Sequence, residues 1–146
     1  MKLETIELKC LDCGKKFLSP RLGDQSYGWF IFTGEKGNVF GCFKALENPV
    51  WNFIETVVKK EENGRQTSID HGDHLRVACA HFADAIEGQQ LRSDRVCPRC
   101  YSINTEGGVL LSEVLEVPDV SHNEFLSLTE PVRRQKVLEF DHSYSS

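Results

Sequence analysis

The chain has 146 residues, 40% hydrophobic and 27% charged, the size and balance of one globular domain able to bury an apolar core. This excludes a disordered or fibrous chain, and a net charge of −5 argues against a dedicated, nonspecific nucleic-acid binder, which would be basic overall. No apolar run approaches the roughly 20 residues that cross a bilayer, and the amino-terminal stretch lacks the unbroken apolar core of a signal peptide, so a cytoplasmic protein with no membrane contact is expected.

Residues 3–9 alternate apolar and polar side chains, as a half-buried strand does, and lead into Cys10-Leu11-Asp12-Cys13-Gly14. Two cysteines spaced by two residues let one tight turn aim both sulfurs at a common point. Gly14 suits the positive φ that such a turn uses. Residues 15–18 read as the returning antiparallel strand.

An aromatic hairpin follows, with strands over 27–33 and 39–43 joined by a turn through 34–38. Tyr27, Trp29 and Ile31 share one face and Phe30 and Phe32 the other. Such a strand is expected to be buried in the core rather than to stack on bases, because large aromatics more often fill interiors. Cys42 is read as a small buried apolar residue within it.

Asn48 and Pro49 read as the cap and first residue of a helix, with Val50, Trp51, Ile54, Val57 and Val58 at helical spacing toward Asn63-Gly64. A second helix is expected from Asp73 through Leu75, Ala78 and Phe82 to a stop at Gly88. This region gathers Asp70, His71, Asp73, His74, Cys79, His81 and Asp84. His74 and His81, seven residues apart, would stand about 10 Å apart along a helix, too far to share one metal. Solvated or capping histidines are therefore the expectation, and a second metal site on His71, His74, Cys79 or His81 is left open.

The second cysteine pair is Cys97-Pro98-Arg99-Cys100, followed by Gly107-Gly108 and a strand through Val109, Leu111, Val114, Leu115 and Val117, ended by Pro118. Ser121-His122-Asn123-Glu124 matches a capping box and Thr129-Glu130-Pro131 a second helix start. Two short helices are expected to finish the chain as an appendage, with residues 142–146 fraying.

With no export signal, six cysteines are expected as thiols rather than disulfides. The two pairs together offer the four thiolates of tetrahedral zinc. At Cys10-Leu11-Asp12-Cys13-Gly14 and Cys97-Pro98-Arg99-Cys100 the chain resembles the zinc-ribbon superfamily. The resemblance implies a small antiparallel sheet gripping one structural Zn2+ through Cys10, Cys13, Cys97 and Cys100, and no particular activity. Between Cys13 and Cys97 lie 83 residues, against about 15–20 in the usual motif, so a subdomain is inserted. Closing so long a loop costs about 4 kcal/mol, and structural zinc contributes about 10–16 kcal/mol. The fold class expected is α+β: a discontinuous zinc ribbon (small antiparallel sheet) with an inserted β-hairpin and helices and a short C-terminal helical segment. Residues 1–18 and 92–117 are the ribbon halves, 19–91 the hairpin-helix insertion and 118–146 the C-terminal segment, within a single compact domain spanning 1–146.

Cys97-Pro98-Arg99-Cys100 also resembles the dithiol motif of glutaredoxins, but no apolar strand leads into it and no helix opens from it. Lys9, Lys15, Lys16, Arg95 and Arg99 flank the pairs, opposed by Asp12 and Asp94. These cations suit a zinc tetrathiolate of formal charge −2, or contact with nucleic acid or a protein partner. No nucleophile elbow, phosphate loop, dinucleotide fingerprint or zinc-protease helix occurs. The function read from the sequence is a non-catalytic zinc-binding protein, a protein-interaction or regulatory module. The alternative is a nucleic-acid-binding zinc ribbon, and behind it a redox or metal-dependent enzyme.

Overall fold

The computed structural model describes residues 1–23, 27–61 and 71–145, with backbone alone at 60, 61, 71, 72 and 145. Asn63, Gly64, Asp70 and the His71 side chain lie outside the described residues. The architecture is mixed α+β, with two small antiparallel sheets and four helices among the described residues.

The first sheet is centred on β1 (Lys2–Cys10), the alternating segment near the amino terminus. On one edge β2 (Lys16–Pro20) pairs antiparallel, placing Leu8 opposite Phe17 and Ile6 opposite Ser19. On the other edge lie the short β6 (Thr105–Glu106), opposite Lys9 and Cys10, and β7 (Leu110–Glu116), opposite residues 2–6. The chain crosses from β6 to β7 through Gly107 and Gly108. At Gly108 a side chain would strike the Glu7 carbonyl, so glycine permits the close approach.

The second sheet has the order β4-β3-β5 and holds the aromatic hairpin: β3 (Trp29–Gly34), β4 (Phe40–Lys44) and β5 (Leu91–Arg92). Phe32 and Phe43 are fully buried and stack at 5.0 Å. The connecting turn places Gly37 at φ 78°, where an added Cβ would stand 2.5 Å from the Val96 carbonyl oxygen and 2.8 Å from Pro98 N. The hairpin tip thus abuts the backbone that leads into the second cysteine pair.

Helix α1 (Pro49–Glu61) begins where the sequence places it: the Asn48 side-chain oxygen accepts from the Val50 and Trp51 amides at 2.9 and 3.2 Å. Helix α2 (His71–His81) stops well short of the expected Gly88. Glu87 and Gly88 both take positive φ in a tight turn closed by Ile86 and Gln89, and this turn delivers β5. The apolar periodicity through residue 86 reflects core contact by this turn, with Ile86 packed on the main cluster.

Helices α3 (Asn123–Ser127) and α4 (Glu130–Ser145) close the chain. The anticipated capping box does not form. The amino end of α3 is instead served from a distance by Asp84, which accepts from Ser121 Oγ, Asn123 N and Glu124 N at 2.6, 2.8 and 3.1 Å. Nor is the carboxyl end a loose appendage. Val137 is 1% exposed within the main core, His74 Nε2 and Asp141 Oδ1 lie 2.9 Å apart in the interior, and α4 continues through His142. The main core joins Phe32, Phe43, Ile54, Val58, Leu75, Cys79, Phe125 and Val137, while a separate small cluster holds Leu8, Phe17, Cys10 and Cys97.

Candidate metal centre

That small cluster is built by two turns of the same design. In the first, Gly14 N donates to the Cys10 carbonyl and Cys10 N to the Lys15 carbonyl, both at 2.9 Å. In the second, Tyr101 N donates to the Cys97 carbonyl and Cys97 N to the Ser102 carbonyl, again both at 2.9 Å. Gly14 and Tyr101 occupy equivalent places and share the left-handed conformation, with φ of 78° and 62°. For Tyr101 that conformation costs about 1–2 kcal/mol, so the turn holds its shape against a local penalty.

The turns meet face to face. Cys10 Sγ lies 3.5 Å from Cys100 Sγ and Cys13 Sγ 3.6 Å from Cys97 Sγ, and all four sulfurs fall within 4.8 Å of one another. Disulfides are excluded by these distances, since a bonded pair lies about 2.05 Å apart, and all six cysteines are free thiols. With zinc–sulfur bonds of about 2.3 Å, the edge of a sulfur tetrahedron is about 3.8 Å. Four sulfurs at this spacing fit a tetrahedral thiophilic ion, and zinc matches the donor set.

Burial opposes ionisation of Cys10, yet hydrogen bonds from the Cys13 and Asp12 amides and from the Cys100 thiol lower it to about 7. Cys100 receives a favourable backbone hydrogen bond from Ser102, but burial and the neighbouring Cys10, Cys13 and Cys97 sulfurs push it up to about 12. Once one sulfur carries charge, its neighbours resist doing so.

A polar clasp ties the turns together outside the sulfurs. Asp12 accepts from Ser102 Oγ and, at 3.3 Å, from Asn104 Nδ2; these bonds hold its carboxyl below the usual range. Leu11 N donates to the Asn104 carbonyl at 2.8 Å, and Arg99 N approaches Cys97 Sγ at 3.4 Å. Ser102 and Asn104 were missed by the sequence reading; their small polar character just after a CxxC pair was the available signal.

Lys9 faces Lys16 across β1–β2 and Glu106 across β1–β6. Lys15 and Arg99 are exposed at the turns. Arg95 is half-buried and donates to the Pro20 carbonyl at 3.2 Å.

Among the described residues no second set of metal-ligating side chains gathers. His74 faces Asp141, His81 stacks on Phe140 at 4.8 Å, and His122 Nε2 lies 2.8 Å from the Cys79 carbonyl. Cys79 is fully buried in α2 and Cys42 nearly so in β4, and burial pushes both thiols up, with Asp119 adding to the effect at Cys42. No helix of the described residues is long and apolar enough to cross a membrane. No protein-family model, curated protein or solved structure matches this chain.

Proposed function

We propose that the chain is a non-catalytic zinc-binding protein acting as a protein-interaction or regulatory module, with one structural Zn2+ held by Cys10, Cys13, Cys97 and Cys100 in a discontinuous zinc ribbon. Residues 1–18 and 92–117 are the ribbon halves of a single domain, and 19–91 is the insertion between them. The observation that carries this reading is the convergence of four thiols from two turns with the same hydrogen-bond pattern. Four sulfur ligands fill a tetrahedral site and leave no position for a reacting water.

The interaction role rests on the side chains around the site. Leu11, Tyr101 and Ile103, on and beside the two turns, are 50%, 53% and 47% exposed, and Val109 and Leu110 follow at the start of β7. Exposed apolar side chains on and beside the turns offer a protein partner surface to cover. The nucleic-acid alternative draws on Lys9, Lys15, Lys16 and Arg99, with Arg95 directed elsewhere; its affinity would fall steeply with salt.

Native mass spectrometry of protein purified without added metal tests the metal. One zinc per chain, lost in the Cys97→Ser, Cys100→Ser double variant, is the expected result; no zinc, or two metals per chain, would sink the reading. Leu11→Glu with Ile103→Glu tests the surface, and should abolish partner capture while leaving zinc content unchanged.

A further inference from the structure

Away from the cysteines, a groove of about 500 Å³ opens along β3, lined by Arg21, Trp29, Phe30, Arg76, Ser93 and Arg95 among others. We propose that this groove binds a small phosphate monoester, the phosphate resting between Arg21, Arg76 and Arg95.

Three arginines line one concave surface on a chain of net charge −5. Asp94 also lines the groove and Asp73 engages Arg76 Nη2 at 3.0 Å, so two carboxylates stand against three arginines and leave an excess of positive charge. Arg21 and Arg95 form no ion pair among the described residues, and the Nε atoms of Arg21 and Arg76 are buried without a hydrogen-bond partner. Burial, and then the neighbouring charge of Arg76, lowers the pKa of Arg95, as expected when two cations lie near each other. Guanidinium N–H groups match phosphate oxygens in bidentate geometry, which makes an oxyanion the natural occupant.

The groove is rigidly built. Phe30 stacks on Trp51 at 6.0 Å, and the Arg76 guanidinium lies 5.7 Å from the Phe30 ring centroid, so aromatic packing fixes that cation. Arg95 is held by the Pro20 carbonyl. The sheet edge contributes as well. β5 pairs with β3 only at Thr33 and Gly34, and Gly34 and Gly28 bond toward the β4 side. By strand alternation the amides of Trp29 and Ile31 therefore point to the unpaired edge that lines the groove. The size favours a small ligand, since about 500 Å³ lies in the range of metabolite pockets. The acidic surface opposes a polyanion such as nucleic acid.

The test uses the zinc-loaded protein at low ionic strength, titrated with inorganic phosphate, adenosine monophosphate, succinate and a short single-stranded RNA. Both phosphate monoanion and monoester forms should bind saturably at one site per chain, with succinate at least tenfold weaker. Arg76→Gln and Arg95→Gln should each weaken phosphate at least tenfold, and Lys15→Gln, a cation outside the groove, less than twofold. In the unmodified protein, phosphate should shift the Arg21 and Arg76 Nε–H resonances, a readout independent of whether the variants fold. Absence of saturable binding, shifts confined to other residues, succinate bound as well as phosphate, or RNA bound more tightly than the mononucleotide would each overturn the proposal.

Discussion

The two apolar centres of the molecule differ in what can hold them. The one between β4-β3-β5 and the helices buries Phe32, Phe43, Ile54, Val58, Leu75 and Leu91 almost completely. Each such side chain contributes about 1.5–3 kcal/mol, so this half has apolar mass of its own. The centre beneath the sulfurs buries Leu8 and Phe17 and otherwise consists of cysteine. Two side chains at about 3–6 kcal/mol in total do not offset the ordering of two turns and four strands. The segment between the cysteine pairs therefore supplies most of the larger core, together with Phe125 and Val137 of the carboxyl-terminal helices, while the cysteine-bearing sheet has little apolar burial of its own.

Removing zinc is the sharpest way to break this contrast. Chelation should cost the cysteine-bearing sheet much of the roughly 10 kcal/mol that structural zinc supplies. Hydrogen exchange at the Cys10, Gly14, Cys97 and Tyr101 amides should rise by orders of magnitude, while the Phe32 and Phe43 amides stay protected. Equal loss of protection in both halves would show that they do not differ. Phe32→Ala probes the opposite half and should destabilise the protein by about 3–5 kcal/mol in urea unfolding, with the zinc stoichiometry of the folded fraction unchanged.

Gly37→Ala tests how the halves communicate. The new Cβ meets the backbone of residues 96–98 and the φ is unfavourable, so a loss of about 1–3 kcal/mol and a weaker zinc affinity are expected together. Stability lost with zinc affinity intact would mean that the hairpin tip does not support the turn. The smallest effect belongs to pH and to the apolar half alone. Burial lowers the pKa of His122 against the raising influence of the Cys79 carbonyl and Asp84. The folded state thus stays neutral where the unfolded chain takes up a proton, so stability should fall as pH drops below about 6.5. The slope stays under about 1.4 kcal/mol per pH unit and should be shallower in His122→Gln.

What was legible in the sequence is local. The cysteine pairs, the Asn48–Pro49 cap and the strand on each side of Gly34–Asn38 each depend on neighbours a few residues away, and each stands where the pattern places it. What was not legible depends on distant pairing. α2 ends at His81 although the apolar spacing runs on to Ile86, and the start of α3 takes its cap from Asp84 rather than from Ser121. Arg21, Arg76 and Arg95 come from three separate segments and line one groove only in the folded chain. Arg95, two residues before the second cysteine pair, is one of the residues that line this groove.

The contact between Arg95 and the Pro20 carbonyl has a topological consequence. The chain leaves the cysteine-bearing sheet at Pro20 and returns at Arg95, so the exit and re-entry of the insertion lie within one side chain's reach. Because those ends meet, the number of residues between them does not by itself set the spacing of the two cysteine turns.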